Sequence, residues 1–268
     1  MSCCCPTYLV PAAIAIYVTY KYLFKKNEPK ICFELAYSMR SATIPSVSPY
    51  CLKIETFLRV NKIPYENRFL VMGRSKHGLL PFVELNGEQV ADSQMIYEKL
   101  VNHFNIKSLP AEQEALSRAV SRMAEGHSFY VFYKFKILDQ LDNFVSHLLD
   151  DIGAPIFLKF LTLPIGKVMF RQTATKRIYG SLGHFSDAEF EALLRKDLDT
   201  FRSVLGDKQF LFGDSMSTAD YSVFGILATG FYQPVENEIT KVMKKEYSTL
   251  IDYCERIRNL AFEKDFTK

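Results

Sequence analysis

The chain has 268 residues, 48% hydrophobic and 24% charged, with 33 basic against 30 acidic side chains and a net charge of +3. Such a length and balance describe a folded protein of up to two packed domains, and they exclude both a disordered chain and a basic nucleic-acid-binding surface. The cysteines at 3, 4, 5, 32, 51 and 254 form no paired framework and no C-x-x-C zinc spacing, which points to free thiols in a reducing compartment and to no metal.

From Cys3 to Tyr20 there is no charged residue, and Lys21, Lys25, Lys26 and Lys30 follow. The apolar run Tyr8 to Phe24 would measure about 26 Å as a helix, slightly short of the ~30 Å hydrocarbon core of a bilayer. Residues 1–26 are therefore expected to be a single-pass membrane anchor, with the lysines on its C-terminal side placing the folded part in the cytosol. A cleaved signal peptide is the rival reading, although its usual basic leading segment is missing. Cys3, Cys4 and Cys5 are acylation candidates. Three consecutive thiolates are poorly arranged to wrap one zinc or cadmium ion, and the run also reads simply as small apolar residues of an anchor.

Residues 30–37 read as a first strand, ending at Tyr37, and a long loop runs from Ser38 to Val47. Ser48-Pro49-Tyr50-Cys51 then opens a helix, with Ser48 as N-cap and Pro49 at the first helical position. A redox turn would place a cysteine where Ser48 stands, so the vicinal dithiol is missing while the helix N-terminus remains suited to another molecule's thiolate. Cys51 reads as a small buried hydrophobe.

The helix is expected to run to Pro64, and Tyr65–Val71 to form a second strand. Asn86-Gly87 between two short apolar runs signals a type I′ hairpin, making strands three and four antiparallel. Asp92-Ser93 caps a helix carrying Met95, Ile96, Leu100, Val101 and Phe104. The order β-α-β followed by β-β-α is the thioredoxin-like topology, in which Pro81 takes the place of the usual cis-proline.

Strand signals vanish after Pro110. Ser186 to Glu189 is a capping box opening a helix closed by Gly206, and Ser217 to Asp220 is a second box, flanked by Met216 and Tyr221 as a hydrophobic staple; its role is expected to lie in folding. Residues 153–170, broken by Gly153, Pro155, Pro164 and Gly166, read as a buried or pocket-covering pair of helices, not as a second membrane span. His77 and His184 show no metal-like spacing.

Ser48-Pro49-Tyr50-Cys51, Leu80-Pro81, Asp92-Ser93 and the Ser217–Asp220 box together resemble the glutathione-transferase superfamily, over roughly residues 30 to 265. Ser48 to Leu58, the Gly180 to Ser186 stretch and Phe212 to Tyr221 are similar to its failed-axon-connections and metaxin branch, and within it to the nematode cadmium-responsive proteins. The resemblance implies an α+β glutathione-transferase fold: a thioredoxin-like glutathione-binding domain over 29–107 and an all-helical domain over 110–268, here preceded by the membrane-anchor helix.

It further implies that Ser48, or alternatively Tyr37, donates a hydrogen bond to the glutathione sulfur. The Leu80-Pro81 backbone would pair with the tripeptide, Ser93 would take the γ-glutamyl carboxylate, and Asp92 would face its amine. Ser48 also reads as a plain helix cap. Two functions stay open. One is a membrane-tethered glutathione-binding protein of heavy-metal or xenobiotic stress response, conjugating thiol to electrophile weakly or not at all; the other is a non-catalytic interaction scaffold. Glutathione, the membrane and a second copy of the chain in a homodimer are the implied partners.

Overall fold

The computed structural model describes residues 34–37, 43–69, 75, 77, 78, 80–151 and 156–266, which belong to one compact unit, Cys32–Lys268. The anchor segment 1–26, with Cys3, Cys4 and Cys5, lies outside the described residues. Among these, no helix is long and apolar enough to cross a membrane.

Strands β1 (Glu34–Tyr37), β2 (Glu66–Phe69), β3 (Phe82–Leu85) and β4 (Glu88–Ala91) form one sheet in the order β2-β1-β3-β4. β1 runs parallel to β2, pairing Glu34 with Glu66, and antiparallel to β3, pairing Leu35 with Val83. The β3-β4 hairpin turns at Asn86 (φ 53°) and Gly87 (φ 81°), the left-handed pair that a type I′ turn needs. Helix α1 (Pro49–Val60) stops four residues short of Pro64, with Asn61 as its C-cap. The next residue, Lys62, has φ 54°. Helix α2 (Ser93–His103) follows β4, and its Ile96 and Leu100 pack with Val83, Leu85, Ile54 and Phe57 in a small core.

The helical part starts with α3 (Ala111–Met123), which runs on through a π-type turn (Ala124–Ser128), the short α4 (Phe129–Tyr133) and a second π-type turn (Lys134–Leu138). Then come α5 (Leu141–Asp151), α6 (Ile156–Ser181), α7 (Asp187–Leu205), α8 (Thr218–Phe231), α9 (Glu238–Glu246) and α10 (Ser248–Phe262). At the α7 cap, Ser186 Oγ accepts from the Glu189 amide at 3.4 Å and the Ser186 amide donates to Glu189 Oε2 at 2.8 Å. Gly206 follows α7 at φ 52°.

The second box is buried. Asp220 accepts from the amides of Ser217 (2.8 Å) and Leu211 (2.9 Å) and from the hydroxyls of Ser217 (2.7 Å) and Tyr253 (3.0 Å). A carboxylate with four donors in the core joins α8, α10 and the preceding loop, the folding role that the capping pattern suggests. Met216 and Tyr221 pack into the same small core.

Residues 156–181 are one helix, not the pair expected from the Pro and Gly breaks. Pro164 sits inside α6 at an exposed position, at the cost of the one backbone hydrogen bond that its missing N–H would make. The expectation of burial also fails: Ile165, Val168 and Met169 are 63%, 57% and 62% exposed.

Helix α8 is buried along its length and crosses α1. A Cβ on Gly225 would lie 2.5 Å from the Pro49 carbonyl oxygen, so only glycine permits this approach. Gly225→Ala is expected to cost about 1–3 kcal/mol in urea unfolding, the usual range for overpacking. Gly126→Ala, whose added Cβ would meet nothing within 4 Å, should stay within about 0.5 kcal/mol of the parent.

Candidate functional site

A cleft of about 390 Å³ opens where the thioredoxin-like part meets the helical part, lined by Leu80, Pro81, Asp92 and Ser93 on one side. Tyr50 contributes from α1, and Arg122, Glu125, Tyr130 and Arg177 from the helices opposite. The Leu80-Pro81 peptide bond is cis, as the topology leads one to expect.

Of the Asp92-Ser93 pair, Asp92 is the cap: its Oδ1 accepts from the amides of Gln94 (2.9 Å) and Met95 (3.2 Å). Asp92 reaches this position with φ 79°, a left-handed conformation that a non-glycine residue adopts only where its surroundings impose it. Ser93, the first residue of α2, is buried at the cleft. With those two amides engaged by the cap, what the α2 N-terminus presents to the cleft is Ser93 and the partial positive charge of the helix end.

The sulfur-site candidates are placed differently. Ser48 has extended backbone (φ −90°, ψ 121°) and accepts the first α1 bond through its carbonyl, from Leu52 N at 3.0 Å. Its side chain makes no cap hydrogen bond, and Ser48 is not among the described residues that line the cleft. Tyr50, two residues on, is. Burial and the nearby Glu125 hold the Tyr50 phenol well above its ordinary range, and its hydroxyl donates to the Glu125 carbonyl at 3.2 Å. Tyr37 ends β1, and its side chain lies outside what is described. Cys51 is fully buried in the small core.

Several site residues had no sequence signal of their own. Lys53, 1% exposed, points from α1 to Glu125, with Nζ 2.7 Å from Oε1 and 3.3 Å from Gln94 Oε1. Glu125 also receives the Ser222 hydroxyl of α8 (2.7 Å) and pairs with Arg122. Arg122 in turn donates to Gln94 Oε1 at 3.2 Å. Burial pulls the Lys53 ammonium below the ordinary lysine range, while Glu125 acts the other way.

Glu125 and Gly126 occupy the first π-type turn, which widens the helix and sets the Glu125 carboxylate against α1 and α8 at once. The network thus ties α1, α2, α3 and α8 together under the cleft and holds Arg122 at its rim. Among the described residues no group of three His, Cys, Asp or Glu side chains is placed to hold a metal ion.

These placements separate Ser48 and Asp92 by role. Ser48→Ala should shift stability by no more than about 0.5 kcal/mol, because this half-buried side chain makes no cap hydrogen bond to lose. Asp92→Ala should cost about 1 kcal/mol as a lost cap. Denaturant midpoints of both variants check this.

A family model of the glutathione S-transferase N-terminal domain matches residues 49–141, and one of the glutathione S-transferase C-terminal domain matches residues 194–257. The protein Failed axon connections of Drosophila melanogaster is 32% identical over 255 residues, and the chain, 89% of which aligns, spans 60% of that relative's length. An isoprene-epoxide–glutathione S-transferase of a Rhodococcus species is 28% identical over 232 residues, 80% of this chain and 93% of that one.

Among solved structures, a glutathione transferase of Phanerochaete chrysosporium superposes with a TM-score of 0.59 at 13% identity, over 86% of this chain and 98% of that one. A glutathione S-transferase of Methylobacterium radiotolerans, in complex with glutathione sulfonate, gives 0.55 at 16% identity, over 88% and 94%. The two family models together cover more than half of the chain, and the chain belongs to the glutathione S-transferase superfamily, with Failed axon connections among its relatives.

Proposed function

We propose that the chain binds glutathione in the 390 Å³ cleft and turns it over weakly or not at all. The observation that carries this reading is the convergence, on one tripeptide-sized space, of the cis Leu80-Pro81 segment ahead of β3, a helix N-terminus at Ser93 and two guanidinium groups, Arg122 and Arg177. Glutathione offers the matching set: an extended peptide backbone and a carboxylate at each end. The γ-glutamyl carboxylate goes to Ser93 and the positive end of α2, and the second carboxylate to an arginine, which grips it in two parallel hydrogen bonds. Asp92 spends Oδ1 on its cap and still lends negative charge near the γ-glutamyl amine. The glutathione chemistry in the name of the Rhodococcus relative and the glutathione sulfonate bound to the Methylobacterium protein support the ligand class.

Weak turnover follows from the sulfur end. The hydroxyl that α1 brings to the cleft, that of Tyr50, is held protonated and already donates to Glu125, while the Ser48 hydroxyl lies outside the lining. The thiol then meets mainly the partial positive charge of the helix end, a modest acidifier. Membrane tethering through residues 1–26, facing the cytosol, completes the reading and rests on the uncharged Cys3–Tyr20 run and the lysines after it. Any part in cadmium stress would run through bound glutathione and its thiol.

Titration calorimetry with glutathione should give saturable binding. Arg177→Ala and Ser93→Ala are each expected to weaken it at least tenfold, the loss of a hydrogen bond to a charged group being about 1.5–3 kcal/mol. Ser48→Ala should leave affinity unchanged. No binding to the parent protein would favour a non-catalytic scaffold instead, and a full-length chain recovered free of the membrane fraction would remove the tether.

A further inference from the structure

The second π-type turn carries another buried cation. Lys136 is 6% exposed, and its Nζ donates to the Val47 carbonyl at 2.9 Å. An ammonium has three protons to place. Among the described residues no carboxylate pairs with it, and the charged groups around it are engaged elsewhere: Lys134, two residues earlier, holds Asp139 and Asp187, and Glu238 on the facing α9 holds Lys241. His147 of α5 is the one other titratable group on the same small cavity, which measures about 30 Å³ and has Val47, Phe144, Leu148 and Pro234 among its walls. That is room for two or three heavy atoms. Desolvation with no compensating charge pushes the Lys136 amine down to about 7, so at neutral pH roughly half of it is unprotonated.

We propose that Lys136 is a nucleophilic amine that captures short-chain aldehydes as an imine in this cavity. The Nζ lone pair adds to the carbonyl carbon as the C=O π bond opens onto oxygen. The two amine protons leave with that oxygen as water, and a C=N bond remains. No oxidant or reductant takes part. His147 is the group placed to carry a proton to the departing oxygen. Aldehyde fits better than carbon dioxide because a carbamate would leave a buried anion beside the Val47 carbonyl, in a cavity whose described lining holds no guanidinium or second ammonium, whereas a neutral imine adds no charge.

Acetaldehyde at low concentration with cyanoborohydride would fix each imine as an ethyl group, read by peptide mass spectrometry on the full chain. An amine at about 7 has roughly a thousandfold more free base at pH 7 than an ordinary lysine near 10.4, offset in part by lower intrinsic reactivity and by burial. Lys136 should therefore label at least tenfold faster than the exposed Lys241 and Lys245. Its rate should level off above pH 7 to 8, while theirs keep rising to pH 9. His147→Gln should slow labelling at Lys136 alone, and benzaldehyde, too large for the cavity, should abolish the preference. Labelling at Lys136 no faster than at the exposed lysines, or a rate still climbing in parallel with theirs at pH 9, would overturn the proposal.

Discussion

The crossing of α1 over α8 is the constraint on which the rest of the structure depends. α1 supplies Leu52 to the large helical core and Cys51, Ile54, Phe57 and Leu58 to the small one, and α8 supplies Tyr221 to the small core and Val223 and Phe224 to the large one, so the two cores are joined through this pair of helices. Gly225 lets the α8 backbone touch the first turn of α1, and the Lys53–Glu125 pair lies beside that contact. A buried ion pair of this kind adds little net stability compared with well-packed hydrophobic residues, but leaving one partner alone costs about 3–5 kcal/mol. Its physical effect is to favour one docking of the helices over every other. The cleft, whose two sides come from the two parts of the fold, exists only in that docking.

The two sides of the cleft contribute different kinds of group. The thioredoxin-like side offers backbone and a helix end, which are fixed by topology: the cis peptide before Pro81 and the start of α2. The helical side offers long side chains of both signs, and there a hydrogen-bonded network limits their freedom. Arg122 is held by Glu125 and Gln94, and Glu125 by Lys53 and Ser222. Pre-organisation of this sort lowers the entropy that a flexible ligand site must lose on binding.

Much of the fold was legible in the sequence because it is encoded locally. Asn86-Gly87 sets a hairpin by its left-handed dihedrals, Ser186 with Glu189 sets a helix start by reciprocal hydrogen bonds, and the β-α-β, β-β-α order places Pro81 and Ser93. The ligand-facing side of the helices was not legible. Glu125, Arg122 and Arg177 have no motif; they come together through a π-type turn and through the crossing of helices distant in sequence. α6 misled for a related reason: proline and glycine signal a break when only local propensity is weighed, yet packing of α6 against α5 keeps one helix intact through Pro164. Ser48 shows the limit of motif reading, since the residue type that best caps a helix makes no side-chain cap here.

Nine of the twelve residues of α1 are buried, among them Lys53, Glu55 and Thr56, and each of these three has a polar partner. A helix enclosed on all sides can accept few substitutions, whatever chemistry goes on beside it. The stretch from Ser48 to Leu58 that makes the family recognisable is thus also a stretch held tightly by packing. It records ancestry rather than activity. A protein could lose every trace of catalysis and still carry this signature unchanged, so shared spelling across α1 separates lineages far better than it separates enzymes from their inactive descendants.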